Sequence, residues 1–217
     1  MIKIVSIAGL PCSGKTTLCN SFASFHNGLS LDLEHLRTIF FEKDLENNVF
    51  KFTHNEPIKK EEDLRTYFLR CVIYDQIITL KEYINWYKII MEYMNKEIIK
   101  ILKDFENLDY KDFLSTYSKI IKQRPINKPE LIVLNHALLP LTDIWNKSTL
   151  SIMLTGEIPV LTQRFIKREK LDLESRKYNS AILRHMKLYT ILNDGAKANI
   201  IYDTTNNFMD IKQIENI

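Results

Sequence analysis

Apolar and polar positions along the chain predict buried strands separated by helices. Five apolar runs predict strands, at 2–8, 29–32, 131–134, 150–154 and 199–202. The stretches between and after them predict helices, at about 15–25 and 34–43, up to 168, at about 175–193 and after 207. Because strands that alternate with helices form parallel sheets with right-handed crossovers, the pattern predicts an α/β fold with a five-stranded parallel sheet.

The middle third of the chain has a different pattern. Between 47 and 128, apolar residues recur at helical spacing, which predicts an α-helical insert without strands of the sheet. The insert is rich in aromatic residues, and at this spacing each is predicted to belong to a core and not to stack on a base. They are Tyr67, Phe68, Tyr74, Tyr83, Trp86, Tyr87 and Tyr93.

Composition narrows the class of protein. The chain has 217 residues, of which 45% are hydrophobic, as expected for one α/β domain over 1–217. A net charge of +3 is too small to indicate a nucleic-acid partner by itself. The cysteines Cys12, Cys19 and Cys71 lack zinc-site spacing and favour reduced thiols in a cytoplasm. No apolar run approaches the roughly 20 residues that span a bilayer, so we expect a soluble protein without a membrane partner.

The most specific motif lies between the first strand and the first helix. Residues 9–16 match G-x-x-x-x-G-K-T, the phosphate-binding loop, in the strand–loop–helix context that the motif requires. Its glycines allow backbone N–H groups to converge on phosphate oxygens at a helix N-terminus. Lys15 is expected to reach the β- and γ-phosphates of ATP, and Thr16 to bind Mg²⁺. The predicted nucleotide-binding residues are Gly9, Pro11, Cys12, Ser13, Gly14, Lys15, Thr16 and Thr17.

Two other classes of phosphate-loop protein fit less well. A GTPase needs a guanine-reading Asn-Lys-x-Asp, and residues 127–130 and 146–149 both lack the Asp. A motor-type ATPase needs an apolar strand that ends in Asp-Glu, whereas the strand here ends in Asn135 and His136. His136 is at most a candidate for lining the site.

Polar residues at two strand ends are predicted to share the crevice of the phosphate loop. Ligands of parallel sheets lie at the carboxyl ends of the strands, where Asp32 and Asn135 are expected. Asp32 is the better-placed general base for an acceptor hydroxyl, and Glu34 either assists it or caps the following helix. Arg37 is expected to grip an acceptor phosphate. The alternative for Asp32 is a plain helix cap.

A basic stretch near the end of the chain predicts a mobile lid over 164–184. Arg164 and Arg168 are four residues apart and share a helix face, and Arg176 follows a predicted turn. Such arginines neutralise the charge that phosphoryl transfer develops on equatorial oxygens. The alternative for each arginine is a solvated charged surface.

With these motifs, residues 1–40 and 130–217 resemble the P-loop nucleoside and nucleotide kinases, most closely the dephospho-CoA kinases. The phosphate loop, Asp32, the segment 135–141, the lid residues Gln163, Arg164 and Arg168, and the segment 198–206 are similar to that family's motifs. Asn135 stands where the family usually has an acidic residue. The segment D-x-E-x-x-R at 32–37 resembles, more weakly, the polynucleotide-kinase-like and phage DNA-hydroxyl kinases.

The resemblance implies a three-layer P-loop kinase fold, with 47–128 as the acceptor-binding insert and the turn at 198–206 near the adenine. It implies transfer of the γ-phosphoryl group of ATP, with Mg²⁺, to a hydroxyl or phosphate of a small nucleotide-like acceptor. Asp32, Glu34, Arg37, Asn135 and Arg176 are its predicted acceptor-binding residues. A kinase of nucleic acid and a non-catalytic nucleotide-binding switch remain the alternatives.

Overall fold

The computed structural model of the chain describes residues 2–36, 80–169, 186–187 and 189–214. The strands there are β1 (Lys3–Gly9), β2 (Leu29–Asp32), β3 (Ile121–Gln123), β4 (Leu131–Asn135), β5 (Leu150–Thr155) and β6 (Ile200–Asp203). The helices are α1 (Lys15–Phe25), α2 (Leu80–Asn107), α3 (Tyr110–Thr116), α4 (Asp143–Lys147) and α5 (Ile158–Glu169), with short 3-10 helices at Leu139–Leu141 and Ile211–Ile214.

The six strands form one sheet in the order β3-β2-β4-β1-β5-β6. All neighbours are parallel except β3, which pairs antiparallel with β2 at the edge. The predicted count of five strands was wrong, since β3 is a sixth strand. It lies inside 47–128, the segment that was predicted to be entirely helical. Its three residues are half-buried or exposed and carry no apolar run, so only pairing with β2 makes them a strand.

Helical layers cover both faces of the sheet. Side chains of a strand alternate between its two faces, and the strand residues accordingly divide between two apolar clusters. Val5, Ile7 and Val133 pack with α1 and the last 3-10 helix. Ile132 and Leu134 pack instead with α2, α4 and α5. The predicted three-layer α/β fold is therefore confirmed.

The described part of the predicted insert is dominated by α2, a helix of 28 residues. Its buried side chains recur at helical spacing and include Tyr87, Ile90, Met94 and Ile98, each fully shielded from solvent. Burial of one such side chain contributes about 1.5–3 kcal/mol, so this face fastens α2 to the sheet. The core prediction is confirmed for Tyr87; the side chains of Tyr67, Phe68, Tyr74, Tyr83 and Trp86 lie outside the described residues.

Polar contacts near the middle of α2 add to this attachment. Asn95 donates from Nδ2 to Asp143 Oδ2 at 3.2 Å and accepts from the backbone N–H of Asp143 at 3.1 Å, which joins α2 to α4. Among the described residues, no helix is both long enough and apolar enough to cross a membrane.

Candidate active site

The phosphate loop joins β1 to α1 through backbone conformations that favour glycine. Gly9 has φ +138°, and a Cβ at this position would lie 2.1 Å from the carbonyl oxygen of Leu154 on β5. Gly14 has φ +91°, and Cys12 also adopts a positive φ of +62°. These positive φ angles turn the backbone sharply between the strand and the helix.

The N-terminus of α1 is suited to bind an anion. Gly14 is the N-cap residue and has no side chain to bond the first-turn N–H groups, and no acidic residue lies in that turn. These donors and the helix dipole therefore remain available to a negatively charged ligand. Thr16 and Thr17 are exposed at this end of the helix. The predicted phosphate-binding residues thus surround one helix terminus.

Lys15 lies across the loop with its charge weakly solvated. Its Nζ donates to the carbonyl oxygen of Leu10 at 2.8 Å. Burial lowers the pKa of Lys15 from 10.5 to about 8, and the negative charge of Glu34 is the strongest influence that opposes this. Smaller effects come from Cys12, Arg168 and Asp32. A phosphate anion beside this ammonium would relieve its desolvation, so the site favours such a ligand.

Asn135 joins the end of β4 to the start of α1. Its Nδ2 lies 2.9 Å from Thr16 Oγ1, with the amide donating. Its Oδ1 is buried and has no hydrogen-bond partner among the described residues. Mg²⁺ at nucleotide sites keeps several waters and takes few protein oxygens, so Thr16 Oγ1 as ligand and Asn135 Oδ1 as acceptor from a bound water fit this ion. The described residues contain no cluster of three or more His, Cys, Asp or Glu that suits another metal site.

The two carboxylates predicted to act on the acceptor, Asp32 and Glu34, lie near Asn135 and Thr16. Asp32 is the register partner of Asn135, so both occupy the same edge of the sheet, as the sequence predicted. Asp32 Oδ1 accepts a hydrogen bond from the backbone N–H of Glu34 at 3.2 Å, which is the contact of an Asx turn. Glu34, which is exposed, acts more strongly on the charge of Lys15 than Asp32 does. The choice of Asp32 as base therefore stays a prediction, and so does its alternative role as a helix cap.

His136 takes a larger part in the site than the sequence indicated. Its ring is fully buried, and Nε2 lies 3.1 Å from Glu34 Oε2. The backbone N–H of Leu138 donates to Nδ1 at 3.1 Å. The signal in the sequence was the position of His136 directly after a buried strand; the partner on another segment could not be read from it.

The two described arginines of the predicted lid point to different places. The Arg164 guanidinium stacks on the Phe208 ring at 4.5 Å, and its Nη2 donates to the carbonyl oxygen of Thr205 at 3.1 Å. Arg168 lies over Phe165 and is the arginine that acts on the charge of Lys15. Hence Arg168 is the arginine whose charge reaches Lys15, while Arg164 is held against Phe208. Arg37, Arg176 and the rest of the lid, from 170 to 184, lie outside the described residues.

Phe208 is a site residue that sequence reasoning missed. A Cβ on Gly14 would come within 2.8 Å of its Cδ1, so the ring lies against the loop. Beside it is a pocket of about 220 Å³, lined partly by Thr17, Ser21 and Asp210. The phosphate loop therefore has a neighbouring cavity between α1 and the segment that follows β6.

Comparison with known proteins gives a likeness of fold. No protein-family model matches the chain, and no curated protein matches it in sequence. Among solved structures, TT1252 from Thermus thermophilus has a TM-score of 0.58 and 14% identity, with 94% of this chain and 90% of that chain covered.

Two kinases are also similar to the chain, with lower TM-scores. A shikimate kinase from Bacteroides thetaiotaomicron has a TM-score of 0.47 and 12% identity, with 99% of this chain and 93% of that chain covered. A dephospho-CoA kinase from Campylobacter jejuni has a TM-score of 0.45 and 18% identity, with 98% of this chain and 93% of that chain covered. At these identities the likenesses concern the fold alone.

Proposed function

We propose that the chain is an ATP-dependent kinase that transfers the γ-phosphoryl group to a hydroxyl or phosphate of a small nucleotide-like acceptor. One observation carries this proposal. Asp32 is aligned with Asn135, whose amide donates to Thr16 of the phosphate loop, and the charges of Glu34, Asp32 and Arg168 all influence the pKa of Lys15. A phosphate loop that only binds nucleotide needs none of these three side chains, whereas transfer to an acceptor needs both a base and a neutralising cation.

The loop residues hold the nucleotide in this proposal. Backbone N–H groups of Gly14, Lys15 and Thr16, at the N-terminus of α1, bind phosphate oxygens. Lys15 exchanges its bond to the Leu10 carbonyl for the β- and γ-phosphates. Mg²⁺, when bound, neutralises phosphate charge, and Thr16 and Asn135 are the side chains that would hold it and its water. The pocket beside Phe208 is where the adenosine moiety is expected to lie.

The strand ends and the helix α5 serve the transfer. The carboxylates at the end of β2 orient an acceptor hydroxyl and take its proton. Arg168 supplies positive charge next to Lys15, as developing charge on the transferred group requires. Arg164, held by Phe208 and Thr205, is better placed to line the nucleotide pocket in this conformation.

The experiment is a transfer assay with γ-labelled ATP and Mg²⁺ against four acceptor classes: dephospho-CoA, nucleosides, nucleoside monophosphates and hydroxymethylated DNA. Label on one of the small acceptors supports the proposal. Label on DNA alone, with DNA binding that weakens steeply as salt rises, would replace it with a nucleic-acid kinase. Slow hydrolysis with retained ADP, and no labelled acceptor, would indicate a nucleotide-binding switch.

A matched control uses the phosphate loop. Lys15→Met removes the ammonium and keeps a side chain of similar length, so label transfer must disappear with it. Transfer above about a tenth of the wild-type rate in this variant would contradict the role of Lys15 in the reaction.

A further inference from the structure

The buried ring of His136 has one polar neighbour on each side. Its Nδ1 accepts from the backbone N–H of Leu138, and its Nε2 lies 3.1 Å from Glu34 Oε2. The ring is fully buried while Glu34 is 47% exposed, so the pair reaches from the core to the crevice. Glu34 is also the strongest negative influence on the Lys15 ammonium. The pair therefore connects the end of β4 with the phosphate loop.

The partner of Nδ1 decides where the neutral ring carries its proton. A nitrogen that accepts from a backbone N–H bears no proton, so the N–H of the ring is on Nε2. That group is buried and has no aligned hydrogen-bond partner among the described residues. Glu34 Oε2 is at hydrogen-bond distance from it, and a small rotation of the exposed carboxylate would complete the bond. A buried donor left without a partner costs about 1–3 kcal/mol, which favours that rotation.

Asp32 has a different task in the same segment. Its Oδ1 accepts a hydrogen bond from the backbone N–H of Glu34, two residues further along the chain. Asp32 thereby supports the backbone at this point, while His136 contacts the Glu34 side chain itself.

We propose that His136 is a positioning residue that holds Glu34 as the general base for an acceptor hydroxyl. The inference rests on the proposed kinase function and deepens it, because it assigns the base and selects a hydroxyl acceptor. In the step, the acceptor O–H bond breaks and its proton passes to the Glu34 carboxylate. The acceptor oxygen forms a bond to the γ-phosphorus of ATP, and the bond from that phosphorus to the bridging oxygen breaks, leaving its electron pair on ADP.

Two substitutions distinguish the contributions of the two ring nitrogens of His136. His136→Asn retains an acceptor where Nδ1 stands and has no atom at the Nε2 position. His136→Gln carries an amide N–H near the Nε2 position and gives up the Nδ1 acceptor. If His136 acts by holding Glu34, the Asn variant no longer positions this carboxylate, whereas the Gln variant still does. The Gln variant does disturb the contact with Leu138.

We expect His136→Asn to lower kcat by about tenfold or more with less than about a threefold change in the KM for ATP, because a mispositioned base affects the chemical step. His136→Gln should recover most of that loss. Glu34→Gln should lower kcat by about a hundredfold or more, and His136→Asn should then lower it by less than about twofold further, since both act through one carboxylate.

Several outcomes would overturn the inference. They are an unchanged kcat in His136→Asn, equal losses in the Asn and Gln variants, or losses that multiply in the double variant. A larger loss from Asp32→Asn than from Glu34→Gln would return the base to Asp32. If the wild-type protein binds ATP but labels no acceptor, the proposed function fails and this inference fails with it. If the wild type labels an acceptor and the variants behave otherwise than stated, only the inference fails.

Discussion

Replacing Lys15 with methionine is expected to abolish phosphoryl transfer and, at the same time, to stabilise the ligand-free fold. The perturbation removes one poorly solvated ammonium from the phosphate loop and leaves an apolar side chain of similar length. Lys15 is held in the folded protein by a bond from Nζ to the Leu10 carbonyl. Its role with phosphates requires the charge, whereas the folded protein without nucleotide gains little from it.

The magnitude follows from the pKa of Lys15. A fall from 10.5 to about 8 corresponds to about 3.5 kcal/mol, at about 1.4 kcal/mol for each pKa unit. The side chain as a whole is only half-buried, so solvent screening reduces this to about 2 kcal/mol. Loss of the hydrogen bond to the Leu10 carbonyl reduces this gain by about 1 kcal/mol. The net expectation is a gain of about 1 kcal/mol at pH 7, or a Tm higher by about 2–4 °C for a chain of this length.

The gain should depend on pH in a defined direction. Below pH 8, Lys15 is charged in both the folded and the unfolded chain, and the folded state carries the full desolvation cost. Between pH 8 and 10.5 the folded protein releases this proton first, so wild-type stability rises relative to that of the variant. The difference in unfolding free energy between variant and wild type should therefore shrink between pH 7 and pH 9.5.

Urea unfolding at the two pH values and the labelled-transfer assay measure both effects. Lys3→Met is the matched control, because Lys3 is exposed on β1 and its loss should change stability by less than about 0.5 kcal/mol. A Lys15→Met protein that unfolds more easily than the wild type by more than about 1 kcal/mol would refute the desolvation argument. Turnover above about a tenth of the wild-type rate would refute the contact with the transferred phosphate, which is worth several kcal/mol.

Three further predictions concern the same site. Asn135→Leu should raise the Mg²⁺ concentration needed for half-maximal transfer by about tenfold, because it removes the contact with Thr16 and the acceptor for a bound water. The Tm without Mg²⁺ should not fall, and an unchanged Mg²⁺ titration would contradict the assignment. Arg168→Ala should lower kcat by about tenfold or more, whereas Arg164→Ala should raise the KM for ATP more than it lowers kcat. The reverse pattern in steady-state kinetics would exchange the roles of the two arginines. The Kd for ATP should rise about twofold at pH 8 and about tenfold at pH 9 relative to pH 7, because neutral Lys15 binds phosphate weakly. Calorimetry that finds a constant Kd up to pH 9 would argue against the lowered pKa of Lys15.

The sequence alone determined the parts of this protein whose chemistry is local or periodic. The phosphate loop was recognisable because its glycines, Lys15 and Thr16 lie within eight consecutive residues between a strand and a helix. The shared position of Asp32 and Asn135 was predictable because parallel strands end at the same edge of a sheet, and their register agrees. Apolar periodicity likewise identified the buried face of α2.

Only the tertiary structure decided the contacts between segments that are distant in the chain. The strand β3 exists because β2 offers it an edge, and its own three residues carry no signal for it. Arg164 stacks on Phe208, and His136 meets Glu34 about a hundred residues earlier, although nothing in either local sequence names the partner. The lowered pKa of Lys15 has the same origin. Desolvation and long-range pairing depend on which segments the folded chain brings together, and a local sequence pattern contains no record of that.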